Sequence, residues 1–400
     1  MGNDCLKIAR NYFLDMQRHR RYLHENAELG FALVKTKKYV ADCLKNLGYN
    51  PKPCGRCGIT AELGGKKNGY FLLRADMDGL PIREKTGEKF ACKHGNMHAC
   101  GHDLHTAMLL GAAAILKEKE TLLNKGIRLL FQPAEETLEG AKDCIENGAI
   151  KDVFGAMMLH VLPSMPFPCG TAVISAEGFS APAADFFDIE ITGKGCHGSS
   201  PWQGVDALLI AAKTVVGVQT LAAREISSQI PATLTFGKLN AGEADNVIAR
   251  KALLSGTLRT MNEETRGFVK MRMEEIAKQT AKAFRGRAAV RYKSGCPCLK
   301  NDGQLSALLY ETALETLGKK YSLHASSLPS GGVGGSEDFA YISQKVPSIM
   351  AGICAGERGQ VRDEPLHSPR VDFDERAMPF GAALLAATAL RATRAGNKKL

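Results

Sequence analysis

Short, continuous apolar runs alternate with amphipathic stretches over the first 160 residues of the chain. Runs of this length that are apolar throughout are typical of strands in a sheet covered by helices on both faces. The predicted strands are YFLLRAD (70–76), IRLLFQ (127–132) and GAMMLH (155–160), and the predicted helices span 4–24, 34–47, 103–118 and 137–147. Strands interleaved with helices in this order indicate an α/β domain.

The pattern changes at FFDIEIT (186–192), where apolar and polar residues alternate, as in a strand with one solvent-exposed face. The predicted segments after it are a helix at 205–224, strands at 232–239 and 246–260, a helix at 262–284 and a strand at 288–293. The resulting order, β-α-β-β-α-β, is typical of a small two-layer α+β domain with an antiparallel sheet.

The α/β pattern resumes after SGCPC (294–298). It then comprises a helix at 303–317, a strand at 348–353 and a helix at 376–391. The smaller domain is therefore predicted to be inserted into the larger one. The expected boundaries are 1–183 for the first part of the α/β domain, 184–293 for the inserted domain and 294–400 for the second part of the α/β domain.

A formal net charge of +10 would suit a nucleic-acid partner. Basic clusters such as Arg18, Arg20 and Arg21 lack interleaved aromatic residues, however, and the chain has a single tryptophan. We therefore expect solvated helix faces and no nucleic-acid partner.

No apolar run is long enough to span a membrane, and the first residues lack an apolar signal core. Together with twelve scattered cysteines, expected to be free thiols, these features indicate a cytoplasmic protein without a membrane partner.

Potential metal ligands crowd the segment HGNMHACGHDLHTAMLL (94–110). Cys100 and His102 alternate just before a predicted helix, so their side chains can point to the same side of an extended chain. A thiolate and an imidazole suit zinc well and manganese less well. One pair is not sufficient, because a catalytic ion needs at least three protein ligands. Structural histidines near a surface are the alternative at this point.

Polar side chains also lie at the ends of three predicted strands. Asp76 and Asp78 come at the end of the first, Glu135 and Glu136 follow the second, and His160 ends the third. Ligand sites in open α/β sheets form outside the carboxyl ends of the strands, so we expect one polar cleft there. The adjacent glutamates cannot easily point the same way, so one can bind a metal while the other handles a proton. An exposed helix N-terminus, where carboxylates are favoured, is the alternative.

Seven segments together resemble the metal-dependent amidohydrolases that include hippurate hydrolase, bacterial aminoacylases and the plant indole-acetyl-amino-acid hydrolases. They are RRYLHENAELGF (20–31), LLRADMDGLPI (72–82), MHACGHDLHTAMLLGAA (97–113), FQPAEE (131–136), GCHGSSP (195–201), GSEDFAYIS (335–343) and LHSPRVDFDE (366–375). The resemblance implies a zinc-exopeptidase-like catalytic domain, with a mixed sheet flanked by helices, and an inserted α+β two-layer lid and dimerisation domain. It also implies metal-dependent hydrolysis of the amide bond of N-acyl or N-aroyl amino acids, which releases a carboxylic acid and a free amino acid.

The resemblance further implies two divalent ions, zinc or manganese, as cofactors. Their ligands would be Cys100, His102, Glu136, His160 and His367, with Cys100 near or between both ions, whereas His98, Asp103 and His105 would not be ligands.

Roles for five other residues come from the same resemblance. Glu135 would act as the general base, and Asp78 would orient a ligand or the base. His197 would reach the substrate carbonyl, and Asn246 and Arg259 would bind the substrate, with Arg259 suited to a carboxylate. A turn residue and a charge on a strand face are the alternative interpretations of Asn246 and Arg259. The implied assembly is a homodimer formed through the inserted domain, acting on a small N-acyl amino acid.

Three other functions stay open. The same two-metal site would suit a dipeptidase or carboxypeptidase that cleaves small peptides. Cys100 could instead be a catalytic thiol with a nearby histidine as its base. A non-catalytic protein that binds acyl amino acids would keep the fold, although it would have no need of Glu135.

Overall fold

The computed structural model describes residues 2–65, 68–327 and 335–394. Its helices are α1 (Gly2–Asn11), α2 (Phe13–Glu25), α3 (Val34–Asn46), α4 (His102–Glu118), α5 (Gly140–Glu146), α6 (Ala207–Arg224), α7 (Glu263–Ala283), α8 (Gly303–Leu317), α9 (Ala340–Ser343) and α10 (Met378–Arg394). Its strands are β1 (Lys52–Cys54), β2 (Gly58–Leu63), β3 (Tyr70–Asp76), β4 (Gly126–Gln132), β5 (Val153–Leu162), β6 (Ala172–Ile174), β7 (Gly178–Ala181), β8 (Ala183–Thr192), β9 (Ala232–Ala241), β10 (Lys251–Thr260), β11 (Arg287–Cys296), β12 (Leu299–Asn301), β13 (Ser322–His324) and β14 (Ser348–Cys354). Parts of the predicted final segment 294–400, namely 328–334 and 395–400, lie outside the described residues.

Two compact units make up the chain. The first comprises Met1–Gly178, Lys300–Ser330 and Tyr341–Leu400, and the second comprises Phe179–Leu299 and Gly331–Ala340. The second unit is therefore inserted in the sequence of the first. Strands β7 and β12 form a separate two-stranded sheet.

An eight-stranded mixed sheet forms the centre of the first unit, in the order β1-β2-β4-β3-β5-β14-β6-β13. Strands β4, β3, β5 and β14 run parallel, whereas β2 joins β4 antiparallel. Every residue of β3 and β4 is buried, because helices cover the sheet, and α4 is buried from His102 to Leu116. The predicted α/β class with a mixed sheet flanked by helices is confirmed.

The second unit has a four-stranded antiparallel sheet in the order β11-β8-β10-β9. Alternate residues of β8, namely Phe187, Ile189 and Ile191, face a core that α6 and α7 complete. The predicted α+β two-layer arrangement is confirmed here as well. Among the described residues, α6 has the length and apolar composition to cross a membrane. A core helix of a protein outside the membrane can have the same length and composition, and a third of α6 (33%) is buried here.

Several predicted elements have different bounds in the structure. The predicted helix 4–24 is interrupted at Tyr12, whose ψ of 7° separates α1 from α2. The predicted strand 246–260 begins only at Lys251, because residues 246–248 pair with residues 196–198 instead: Ile248 N–H donates to Cys196 O (2.9 Å) and Gly198 N–H donates to Asn246 O (2.6 Å). Short strands such as β6 and β13 were not predicted, because three residues carry too little pattern.

Candidate metal centre

The neighbouring parallel strands β4, β3 and β5 end at the same edge of the sheet. Asp76 and Asp78 come at the end of β3, Glu135 and Glu136 follow β4, and His160 is the third residue from the end of β5. The segment that contains Cys100 leads into α4 at this edge, as the sequence pattern predicted for a polar cleft.

His102 is the first residue of α4. Its Nδ1–H donates to the backbone oxygen of Asp78 (2.8 Å), which leaves Nε2 with the free lone pair. That Nε2 is buried and has no hydrogen-bond partner in the described residues. It lies 3.9 Å from an oxygen of Asp76 and 3.9 Å from an oxygen of Glu136. Burial disfavours the imidazolium, but the charge of Asp76 outweighs burial and raises the pKa of His102 well above its ordinary value. Without a cation the ring therefore takes a proton on Nε2, and an ion bound there would replace that proton and use the lone pair.

Cys100 and His160 form the second part of the cluster. The Cys100 Sγ lies 3.5 Å from His160 Nε2, and His160 Nδ1–H donates to the backbone oxygen of Val161 (2.8 Å). Burial lowers the pKa of His160 to about 3, so the ring is neutral and can offer its Nε2 lone pair. Burial also raises the pKa of the Cys100 thiol, which disfavours a free thiolate in the absence of a cation.

Asp78 holds the two glutamates. Its carboxylate accepts the backbone N–H groups of Glu135 (3.0 Å) and Glu136 (3.3 Å). The preceding Ala134 has a positive φ of 54°, a conformation that costs energy for a residue with a side chain and directs the two glutamates away from the strand. A carboxylate oxygen of Glu135 lies 4.0 Å from His102 Nε2, and one of Glu136 lies 3.5 Å from the Nε2 of His367.

His367 is also held in a left-handed conformation, with φ of 67°. Its backbone N–H donates to the oxygen of Ala99 (3.0 Å), next to Cys100, so the late segment of the chain is joined to the segment before α4. Strained residues of this kind concentrate at functional sites. No local pattern could indicate this contact, because 267 positions separate His367 from Cys100, and only the family resemblance placed both residues at one centre.

These side chains fit a divalent metal. Ligand atoms of Cys100, His102 and His160 lie within 4.8 Å of one another, and so do those of Cys100, Glu136 and His367. Sulfur, imidazole nitrogen and carboxylate oxygen are the ligands that zinc takes in proteins. The buried lone pair of His102 Nε2 is explained if an ion accepts it.

The sequence interpretation missed the close partnership of Asp76 with His105. His105 Nδ1–H donates to Asp76 (2.6 Å), while its Nε2 accepts the backbone N–H of Val161 (2.9 Å). Arg74 also donates to Asp76 (2.6 Å), so a fully buried carboxylate has two cationic or polar partners. Burial opposes ionisation, but His102, His105 and Arg74 lower the pKa of Asp76 well below its ordinary value. Two features of the sequence could have indicated this partnership: an arginine inside an apolar strand, and two histidines three residues apart on α4.

The three predicted substrate-binding residues lie in the second unit. His197 is exposed, and its Nδ1 accepts the backbone N–H of Ser199 (3.1 Å), so the neutral ring carries its proton on Nε2. The bridge between His197 and Val247 brings exposed Asn246 close to it. Arg259 is on β10, where it donates to the hydroxyl of Ser336 and lies over the ring of Phe186, 5.6 Å from its centroid.

The fold and the ligand cluster define a metal-dependent hydrolase. Comparison with known proteins specifies the family: residues 72–391 match Peptidase family M20/M25/M40, and the chain belongs to this family. N-acetyl-L-cysteine deacetylase of Bacillus subtilis (strain 168) is 38% identical over 362 residues, which cover 90% of this chain and 83% of that protein. IAA-amino acid hydrolase ILR1-like 4 of Arabidopsis thaliana is 34% identical over 389 residues, which cover 96% and 87%.

A solved structure agrees with these relatives. The YXEP protein of Bacillus subtilis, described as a dinuclear metal binding peptidase from the M20 family, superposes with a TM-score of 0.78 at 30% identity, covering 95% of this chain and 98% of that one. These comparisons confirm the predicted family, the fold and the amidohydrolase class of enzyme. They also confirm the predicted reaction, hydrolysis of the amide bond of N-acyl amino acids, and the use of divalent metal.

Proposed function

We propose that this chain cleaves N-acyl amino acids at a centre of two divalent ions, zinc or manganese. The observation that carries the proposal is that two groups of three ligands share Cys100: one adds His102 and His160, and the other adds Glu136 and His367. The names of two relatives, one specifying N-acetyl-L-cysteine and the other an IAA-amino acid, support an acyl amino acid as the substrate.

When bound, the ions polarise the scissile carbonyl and lower the pKa of a water molecule. Glu135 is the general base in this proposal, because its buried carboxylate lies 4.0 Å from His102 Nε2. It directly follows Ala134, whose positive φ turns the chain at this point. It takes a proton from the attacking water and delivers it to the departing amine. Asp78 keeps Glu135 and Glu136 in place through their backbone N–H groups.

The second unit supplies the substrate-binding groups of the proposal. His197 offers an exposed Nε2–H donor suited to a carbonyl oxygen, because Ser199 occupies its Nδ1. Asn246 offers an amide next to it, and Arg259 carries a guanidinium suited to the carboxylate of an amino acid.

We also propose a cytoplasmic homodimer formed through the second unit. All twelve cysteines are free thiols, which suits a reducing compartment. Strand β9 is an edge strand with mostly exposed residues, and α6 exposes Leu208, Leu209 and Val216, which suits a subunit interface. Light scattering of the purified protein gives the mass directly, and a monomer would contradict this part of the proposal.

The proposed function is tested by measuring free amino acid released from N-acetyl, N-benzoyl and indole-acetyl amino acids and from dipeptides. Chelation should abolish turnover, and added metal should restore it. Glu135→Gln should lower kcat by about 10²–10⁴ with unchanged metal content, because it removes the proton carrier and keeps the shape. Glu139→Gln, an exposed glutamate of the same loop, is the matched control and should keep full activity.

Other outcomes separate the alternatives. Turnover of dipeptides alone would favour a peptidase. Activity that survives chelation and is lost on thiol alkylation would favour Cys100 as nucleophile, although the raised pKa of its buried thiol and the lowered pKa of His160 argue against that pair. A protein that binds acyl amino acids and never releases product would be a binding protein.

A further inference from the structure

A buried network of charges lies next to the metal centre and has no part in the proposed chemistry. It is built on the motif RRYLHENAELGF (20–31), in which Arg20 and His24 are four residues apart and therefore share one face of α2. Arg20 is 3% exposed and His24 is 2% exposed, so both charges need partners in the interior.

Those partners come from three distant segments. Arg20 Nε donates to Asp103 (3.1 Å), and another nitrogen of Arg20 donates to Glu375 (3.0 Å). His24 Nδ1 lies 2.8 Å from Asp103 Oδ2, and His24 Nε2 lies 3.0 Å from Glu84 Oε2. Carboxylates only accept, so both ring nitrogens of His24 donate and the ring is an imidazolium held between two carboxylates.

The two carboxylates joined by His24 belong to the segments that orient His102. Asp103 is the next residue after His102 in the first turn of α4. Glu84 follows Asp78 in the segment after β3, where Leu80 exchanges two backbone hydrogen bonds of 2.9 Å with Met97. The bond from His102 Nδ1–H to the backbone oxygen of Asp78 (2.8 Å) links the same two segments. His24 therefore joins the start of α4 to the segment that follows β3. The distance between these two segments sets the direction of the His102 ring, because the ring is bonded to Asp78.

We propose that His24 is a positioning residue for the metal centre: by joining Asp103 to Glu84 it keeps α4 and the Asp78 segment at the distance at which His102 Nε2 faces the other ligands. This inference rests on the proposed function, in which His102 is a ligand. Loss of a group that hydrogen-bonds directly to a metal ligand costs 10–100-fold in metal affinity, and His24 acts one step further out, through the segments that carry His102 and its partner Asp78.

Metal affinity of His24→Gln tests the proposal. Gln fills similar space but cannot donate from two opposite ring positions to both carboxylates. The metal-free chain of 400 residues is titrated with Zn²⁺ against a chromophoric chelator, and its thermal unfolding is recorded without metal. We expect zinc affinity to fall by about tenfold, the lower end of that range. His19→Gln is the matched control: the residue is on the same helix, its Nδ1 contacts the hydroxyl of Tyr39 (2.9 Å), and its affinity should stay within about twofold of wild type.

The possible outcomes distinguish this inference from the proposed function. Unchanged zinc affinity in folded His24→Gln, including a case in which only the thermal stability falls, would overturn the positioning role. If that variant does not fold, Glu84→Gln carries the same test, because it keeps the shape and removes one of the two charged bonds. Zinc binding that persists in His102→Ala would overturn the proposed ligand set itself. Loss in His102→Ala together with full affinity in His24→Gln would overturn only the inference about His24.

Discussion

At the scale of the single residue, the rings of His102 and His160 are oriented by the same kind of hydrogen bond. Each donates its Nδ1–H to a backbone oxygen, at 2.8 Å in both cases, and so presents the lone pair of Nε2 to the cluster. The sequence placed His160 at a polar cleft from its position at a strand end, and His102 from its place in the segment before a predicted helix. It could not assign their tautomers, because the oxygen that accepts from His102 belongs to Asp78, 24 positions away.

The charge state of His24 gives a prediction at the same scale. Burial opposes protonation, but Asp103 and Glu84 outweigh it and raise the pKa of His24 from 6.5 to about 9. Because the folded pKa is raised, the stabilisation is complete below pH 6.5 and is lost as pH rises through 9. Between pH 6 and pH 10 the unfolding free energy of the metal-free wild type should therefore fall by about 3 kcal/mol more than that of His24→Gln. Urea unfolding at both pH values measures this, and parallel losses in the two proteins would contradict it.

The start of α4 depends on one glycine. Gly101 has a φ of 81°, and a Cβ at this position would lie 2.3 Å from Cγ2 of Val161. The chain can therefore turn between Cys100 and His102 only without a side chain. Helix periodicity predicted α4 to within one residue of its start, whereas the turn before it depends on Val161 of β5, which local sequence does not reveal.

We expect Gly101→Ala to lower the unfolding free energy by about 2 kcal/mol or more and to weaken zinc binding, because backbone strain and the clash both act between two proposed ligands, Cys100 and His102. Gly87→Ala is the control for this element, since Gly87 has φ of 82° and nothing within 4 Å of its added Cβ. The unfolding free energy of Gly87→Ala should fall only by the cost of an alanine at positive φ, and its zinc affinity should be unchanged. Equal effects of the two variants in urea unfolding and zinc titration would refute the steric explanation.

At the scale of the whole molecule, the proposed ligands come from widely separated parts of the first unit. Parallel strands β4 and β5 bring Glu136 and His160 to one edge of the sheet, and the bond of His102 to Asp78 holds the segment with Cys100 and His102 there. The bond of His367 N–H to Ala99 brings the fourth segment. A metal that joins these segments can bind only the folded chain. Its binding free energy therefore adds to stability.

Removing the metal should consequently lower the unfolding temperature of the wild type. Zinc at one hundred times its Kd contributes about 2.7 kcal/mol to the unfolding free energy, and a chelator removes that amount. Calorimetry with and without chelator shows the shift, which should vanish in His102→Ala. A shift of the same size in that variant would mean that zinc stabilises the chain from some other place.

The sequence by itself determined the order of the elements, the insertion of an α+β unit into an α/β one, and the family. It could do so because apolar periodicity is local, and because segments such as MHACGHDLHTAMLLGAA keep their spacing along the chain. It also grouped Asp76, Asp78, Glu135, Glu136 and His160, since strand ends of a parallel sheet meet at one edge. The roles of the individual ligands stay predictions.

Only the tertiary structure decided which polar groups pair. It joins His105 to Asp76, His24 to both Asp103 and Glu84, and Arg20 to Glu375 across 355 positions. It also places residues 246–248 beside residues 196–198, so the predicted strand 246–260 begins only at Lys251. The physical reason is that buried charges must find partners wherever packing brings them, and that choice depends on contacts between distant segments, which no local pattern encodes.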